Sequence, residues 1–279
     1  MSRPAASRPP SSRRPRSQRR PGSRRAGLLV TIPAITAIAL VALPLVAMLA
    51  ATDWRHLGAH LTNPVVVPAI RLSLITTIAT VALCLALGTP LAWLLSRRDG
   101  RLWSWIRALV TVPVVLPPVV GGVALLLAYG RFGLVGQPLD AATGLRLPFT
   151  PYAVVLAQLF VSLPFFVLAV EGAFRALDPR LLSVAGTLGA SPTRVFLRVA
   201  LPMTLPGVMS GAALAWARAL GEFGATITFA GNFSGRTQTA PLAVYVALQA
   251  DPDAAIALSL VMLALSIAVL GLLRGRWLS

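Results

Sequence analysis

Four stretches of the chain carry no charged side chain: Leu28–Thr52, Leu72–Ser96, Ala108–Gly130 and Ala254–Leu273. Each reaches the roughly 20 residues an α-helix needs to cross about 30 Å of hydrocarbon. Lipid offers no partner to a bare peptide N–H or C=O, so such stretches must be helical there. A buried helix of a soluble protein accounts for one such run but not for four. Two further apolar stretches complete the pattern. Six spans are predicted, near residues 28–51, 67–95, 108–130, 152–172, 203–224 and 254–273. The expected fold class is all-α, a polytopic membrane protein of about six transmembrane helices. No internal repeat is apparent, and the two halves do not mirror each other.

Composition agrees. Of 279 residues, 56% are hydrophobic and 12% charged, against about 25% charged in soluble domains. All 25 basic residues are Arg. Nine lie in residues 1–26, so the net charge of +17 overstates the basicity of the rest. That Arg/Pro/Ser-rich tail has neither aromatic residues to stack on bases nor an apolar period. It reads as a solvated arm meeting anionic lipid, not as a nucleic-acid binder. With six spans and the N-terminus inside, nineteen Arg fall in cytoplasmic segments and five in external ones or at their edges. This is the positive-inside pattern, which an odd number of spans would destroy. Trp103, Trp105 and Trp277 flank cytoplasmic Arg groups, as interfacial indoles do.

Ser23-Arg24-Arg25-Ala26-Gly27-Leu28-Leu29 has the look of an export signal. The apolar run that follows exceeds the 7–15 residues of a signal core, so residues 27–52 are expected to be an uncleaved first transmembrane helix. Cys84 is alone, which leaves no disulfide framework. His56 and His60 are four apart but lack a third ligand nearby. No HExxH, Cys/His cluster or phosphate-binding Gly-x-x-x-x-Gly-Lys occurs. Neither catalysis, nor a metal, nor a cofactor bound by this chain is expected.

Between the fourth and fifth spans, residues 179–202 read as two short helices around a Gly189-Ala190-Ser191-Pro192 break. Asp178-Pro179 and Ser191-Pro192 each supply an N-cap followed by Pro at the first helical position. Val195, Phe196 and Val199 share one side of the second helix, with Arg194 and Arg198 on another. The pair suits either docking into a partner's cleft or lying on the lipid surface.

This spacing resembles the coupling motif of ABC importer permeases: Glu-Ala-Ala, three residues, Gly, nine residues, then Ile-x-Leu-Pro. Ala185, Gly189, Val199, Leu201 and Pro202 take motif positions, with Gly186 and Ala190 beside them; Ser183 and Val184 depart from the Glu and the first Ala. Arg218-Ala219-Leu220-Gly221-Glu222-Phe223-Gly224-Ala225-Thr226, Ala230-Gly231-Asn232, Gly235-Arg236-Thr237-Gln238-Thr239 and Val115-Leu116-Pro117-Pro118-Val119-Val120-Gly121 are similar to molybdate permeases, with sulfate and thiosulfate permeases as near relatives. The resemblance spans residues 67–274. It implies a type I ABC importer permease fold in the cell's inner (plasma) membrane, both termini cytoplasmic. It further implies a homodimer, two copies of an ATPase subunit that uses ATP and Mg, and an extracytoplasmic substrate-binding protein. The implied cargo is molybdate, with sulfate, thiosulfate or tungstate as the alternative. Residues 179–202 would be coupling helices, and Asn232, Arg236, Thr237 and Gln238 would face the binding protein.

Arg218 and Glu222 are four apart, so a helix brings them together. A bare Arg near the bilayer centre costs about 2.5–3.5 kcal/mol on insertion scales, so the two are expected to pair or to line a polar path. With Phe223, Pro117 and Pro118 they are the pathway and gate candidates. Pro113, Pro117 and Pro118 should bend or interrupt the third span, as a packing kink or a gate. Gly121 and Gly122 permit close helix approach. The apolar segment Ala225–Ala230 is expected to re-enter the protein from the second long external loop.

Overall fold

The computed structural model describes residues 23–62 and 64–274. Most of the Arg-rich tail, together with Arg276 and Trp277, lies outside the described residues. The chain divides into two units at Ala50. The first contains one helix, α1 (Ser23–Ala50), which begins four residues before the predicted boundary. It is apolar all round, as suits a span, and carries Pro33 and Pro44.

The second unit is helical throughout, with no strand among its described residues. It runs α2 (Leu57–Leu61), α3 (Val66–Leu83), a π turn (Cys84–Gly88), α4 (Thr89–Arg97), α5 (Arg101–Val115), α6 (Pro118–Tyr129), α7 (Gly136–Thr143) and α8 (Pro151–Arg175). It continues with α9 (Pro179–Thr187), α10 (Pro192–Val195), a second π turn (Phe196–Ala200), α11 (Leu201–Met203), α12 (Leu205–Leu220), α13 (Gly224–Phe229), α14 (Ala240–Ala250) and α15 (Pro252–Arg274). By length and apolarity α1, the continuous α3–α4 helix, α8 and α15 each qualify as spans.

The third and fifth predicted spans need correction. Residues 108–130 do not form one straight helix: α5 and α6 meet at 119°. Leu116 (ψ 130°) and Pro117 (ψ 133°) are both extended. Each precedes a proline, whose Cδ disfavours the helical region for the residue before it. Pro113, expected to share in this break, lies inside α5 without ending it. The fifth predicted span corresponds to α12, which ends at Leu220 instead of continuing to residue 224 and is long and apolar enough to cross only together with the preceding α10–α11 helix, which meets it at 75°.

Helix α8 is the hub, packed on α3, α4, α5, α12 and α13. Thr150 caps it and Pro151 opens it. Small residues allow α12 to approach closely: a Cβ at Gly211 would lie 2.8 Å from Val170 Cγ2 and 3.2 Å from Phe166 O. One core cluster unites α4, α8, α9, α10 and α12 around Leu95, Phe166, Phe174, Leu182, Val195 and Val208. Another joins α6, α8 and α13. As expected, Ala225–Ala230 is taken into the protein: Ala225, Phe229 and Ala230 are fully buried.

Candidate functional site

The 179–202 segment is two helices joined by a tight turn. Asp178 Oδ1 accepts from the Arg180 N–H (2.9 Å) and starts α9. Its C-terminus closes with Ala190 N–H to Ala185 O (3.1 Å) and Gly189 N–H to Gly186 O (3.0 Å), the paired bonds of a Schellman end. That end requires a left-handed residue, supplied by Gly189 at φ 82°. Ser191 Oγ accepts from the Arg194 N–H (3.4 Å) and starts the second helix.

One side of this hairpin is anchored. The Phe196 ring lies 5.4 Å from Trp93 on α4 and 6.1 Å from Phe174 on α8, and those two rings lie 5.2 Å apart, edge to face. Leu182 and Val195 are buried, and Ala185, Ala190, Val199 and Leu201 pack against the same core. The other side is bare: Val184, Leu197 and especially Leu188 (82% exposed) stand out, beside exposed Arg194 and Arg198. Gly186, Gly189 and Pro202 are exposed too. Ser183, where the motif has Glu, is exposed and donates only to Pro179 O (3.0 Å).

The pathway candidates converge on the α5–α6 break. A Cβ at Gly224 would come within 2.7 Å of Pro118 Cβ, so Pro118 abuts the start of α13. Arg218 Nη1 donates to Glu222 Oε2 (2.7 Å), and the Ala225 N–H donates to Glu222 Oε1 (2.7 Å). The predicted pair is therefore present, but Glu222 sits in the turn after α12 and not on the helical face. There it also satisfies a buried N–H at the start of α13 that has no partner within the helix. The Glu222 side chain is 1% exposed and that of Arg218 28%. Phe223 packs 5.3 Å from Tyr245 on α14.

The outer-loop candidates separate. Left-handed turns at Gly231 and Gly235 fold residues 231–239 back on themselves. Thr237 Oγ1 accepts from the Phe233 N–H (3.0 Å), and the Ala240 N–H donates to Ser73 Oγ on α3 (2.7 Å). Thr237 and Gln238, expected to face outward, are consequently buried; Arg236 is exposed and Asn232 half-buried. His56 pairs with Asp53 (2.7 Å), which raises the imidazole pKa by hydrogen bonding and Coulomb attraction, while His60 approaches Asp251 at 4.0 Å. Among the described residues no three His, Cys, Asp or Glu come together as a metal site.

Sequence reasoning missed a buried carboxylate. Glu171, near the end of α8, accepts from Arg107 Nε (2.9 Å) and Arg175 Nε (3.0 Å) through Oε1. Both guanidinium groups also donate to Leu95 O, at 2.9 and 3.3 Å. The Glu171–Arg175 spacing was visible; Arg107 and Leu95, from other helices, were not. A second unseen feature is a polar strip between α3 and α8, where Thr80 Oγ1 donates to Gln158 Oε1 (3.1 Å) and Ser162 Oγ to Gln158 O (2.6 Å).

Residues 85–277, which include the 179–202 hairpin and the α5–α6 break, match the family described as binding-protein-dependent transport system inner membrane component. The chain belongs to this family of ABC importer permeases. A Mycobacterium tuberculosis protein named molybdenum transport system permease protein ModB is 51% identical over 226 residues, 81% of this chain and 85% of that one. The Escherichia coli K12 protein of the same name is 39% identical over 211 residues, covering 76% and 92%. The permease fold matches that in a bacterial alginate ABC transporter crystallised with its alginate-bound periplasmic protein: TM-score 0.71, 15% identity, 90% of this chain and 93% of that one. It also matches the MetNI methionine ABC transporter in inward-facing form: TM-score 0.59, 16% identity, 76% and 94% covered. At such identities the two structures speak for the fold alone. The permease is thus a multi-pass membrane protein and a transport component.

Proposed function

We propose that this permease forms the membrane conduit of an ATP-driven importer for molybdate. The observation that carries the cargo is the 51% identity over 81% of the chain to a molybdenum transport permease. The coupling hairpin supports the class: it has an anchored aromatic side and a bare apolar side flanked by arginines. In this reading two copies of the permease meet two ATPase subunits through Leu188 and its neighbours, and an external binding protein delivers the oxyanion. ATP and Mg belong to the ATPase, and the chain itself does no chemistry.

Orientation follows from charge. The ends of α4 and α8, the start of α5 and the hairpin gather at one side of the second unit, together with Arg97, Arg98, Arg101, Arg107, Arg175, Arg180, Arg194 and Arg198. An Arg excess of this kind faces the cytoplasm, which supports the reading that both termini lie there with six spans.

Along the path, Arg218 offers the dianion a guanidinium that Glu222 holds by one nitrogen. The carboxylate neutralises much of its charge. A conduit needs this: attraction enough to admit an anion and too little to trap it. The test is uptake of labelled molybdate in a strain lacking its own system, with sulfate and tungstate as competitors. Molybdate uptake that survives excess sulfate is expected. Sulfate uptake that molybdate cannot reduce would overturn the cargo.

A further inference from the structure

The Glu171 cluster ties three helices at the hairpin end of the molecule. Leu95 O is one of the last carbonyls of α4, where the helix provides no N–H partner. Two arginines from different helices supply the missing donors, and the same two meet on one buried carboxylate oxygen. Charge-assisted bonds of this kind are short and directional. Glu171 and Arg107 are well shielded, with side chains 6% and 29% exposed, whereas Arg175 is 45% exposed.

The same ends of α4 and α8 carry Trp93 and Phe174, which hold Phe196 of the hairpin. The Arg107 bonds run from this block to α5, beside the Arg98 guanidinium 5.0 Å over the Trp103 ring and the packing of Trp103, Ile106 and Val110 on the same core. From Arg107 the helix runs about 12 Å to the Leu116–Pro117 break, beyond which Pro118 abuts Gly224 beside the Arg218–Glu222 turn.

The geometry points to Glu171 and Arg107 as positioning residues for transport. They make α5 move as one body with the coupling hairpin and so deliver its displacement to the Leu116–Pro117 break. This rests on the hairpin being the ATPase contact.

The pair of arginines provides the discriminating test. R107Q removes the ion-paired link to the buried carboxylate from α5, with the packing of α5 kept, and leaves Glu171 paired with Arg175. R175Q cuts the bond within α8 and the longer one to Leu95 O of α4, and leaves the link to α5 intact. A merely structural cluster makes the two variants alike. Each is assembled with its ATPase and binding protein in proteoliposomes, and ATP hydrolysed per molybdate imported is measured. R107Q is expected to raise that ratio about fivefold or more, the scale of a typical coupling energy. R175Q should stay within about twofold, as for an exposed i,i+4 pair. An unchanged ratio in R107Q, or equal changes in both variants, overturns the inference.

Should R107Q fail to assemble, spin labels on the otherwise unmodified complex decide, at S104C and T187C in a C84S background. The α5–α9 distance is expected to hold between nucleotide-free and ATP-trapped states. A shift beyond about 3 Å, larger than helix adjustments at an interface, overturns it. A G189E control separates the two levels. If that variant also transports with normal coupling, the hairpin reading has failed and not the link to α5.

Discussion

Glu222 uses both carboxylate oxygens, one on Arg218 and one on the Ala225 N–H. Replacement by Gln keeps an acceptor for the amide but strands the guanidinium in a partly buried site. Breaking one side of such a pair costs about 3 kcal/mol, to be read as lost thermal stability in detergent. Changing both residues to Gln should cost less than Glu222→Gln alone. A double-mutant cycle with additive losses would show that the two do not interact. Gly189 makes a second case at this scale. Nothing lies within 4 Å of a Cβ placed there, yet its φ is 82°. A side chain would meet no neighbour but would strain the backbone by about 1–2 kcal/mol. Asn, which tolerates the left-handed region, should leave coupling near normal, whereas Glu should raise ATP use per molybdate. Equal behaviour of the two would argue that the turn's conformation is irrelevant to coupling.

Among elements, what the sequence revealed and what it hid divide along one line. The N-caps at Asp178 and Ser191, the Gly189 turn and the Arg218–Glu222 pair were legible because each depends on residues within about four positions. The Glu171 cluster was not, because Arg107 is 64 residues away in sequence. The fate of Thr237 and Gln238 also depended on distance, being decided when residue 240 bonds Ser73 across the fold. The α5–α6 junction lay between these cases. Prolines announced an interruption, but only the two consecutive extended residues Leu116 and Pro117 produce an angle of 119°. Replacing both Pro117 and Pro118 by Ala removes the steric bar to a continuous helix. The variant should insert and lose at least about nine-tenths of uptake if the break serves passage. Retained uptake would make the bend a packing feature.

Taken whole, the chain combines a six-span pattern with a basic arm that the transported anion need not meet. The nine Arg of the Arg/Pro/Ser-rich residues 1–26 fit a topogenic role. Deleting them should change transport per inserted molecule by less than about twofold, with fewer molecules inserted. This is measured by uptake normalised to membrane-extracted protein. A truncated permease that inserts normally yet fails to transport would assign the arm a part in the cycle.

The π turn at Cys84–Gly88 sets a tolerance that composition does not reveal. It absorbs one extra residue in the α3–α4 span, so the halves above and below it keep facings that a regular helix of the same length would not give. Above it Thr76, Thr77 and Thr80 are buried, and below it Leu95 is buried while Trp93 meets Phe174 and Phe196. Forcing the same residues into a regular α-helix would turn the lower half by about 100°. Trp93 would swing off its aromatic partners and Leu95 off its arginines, with no substitution at either position. The span behaves like a key cut on one edge: its blank side accepts many shapes, but the irregular turn keeps the two halves of the cut in line.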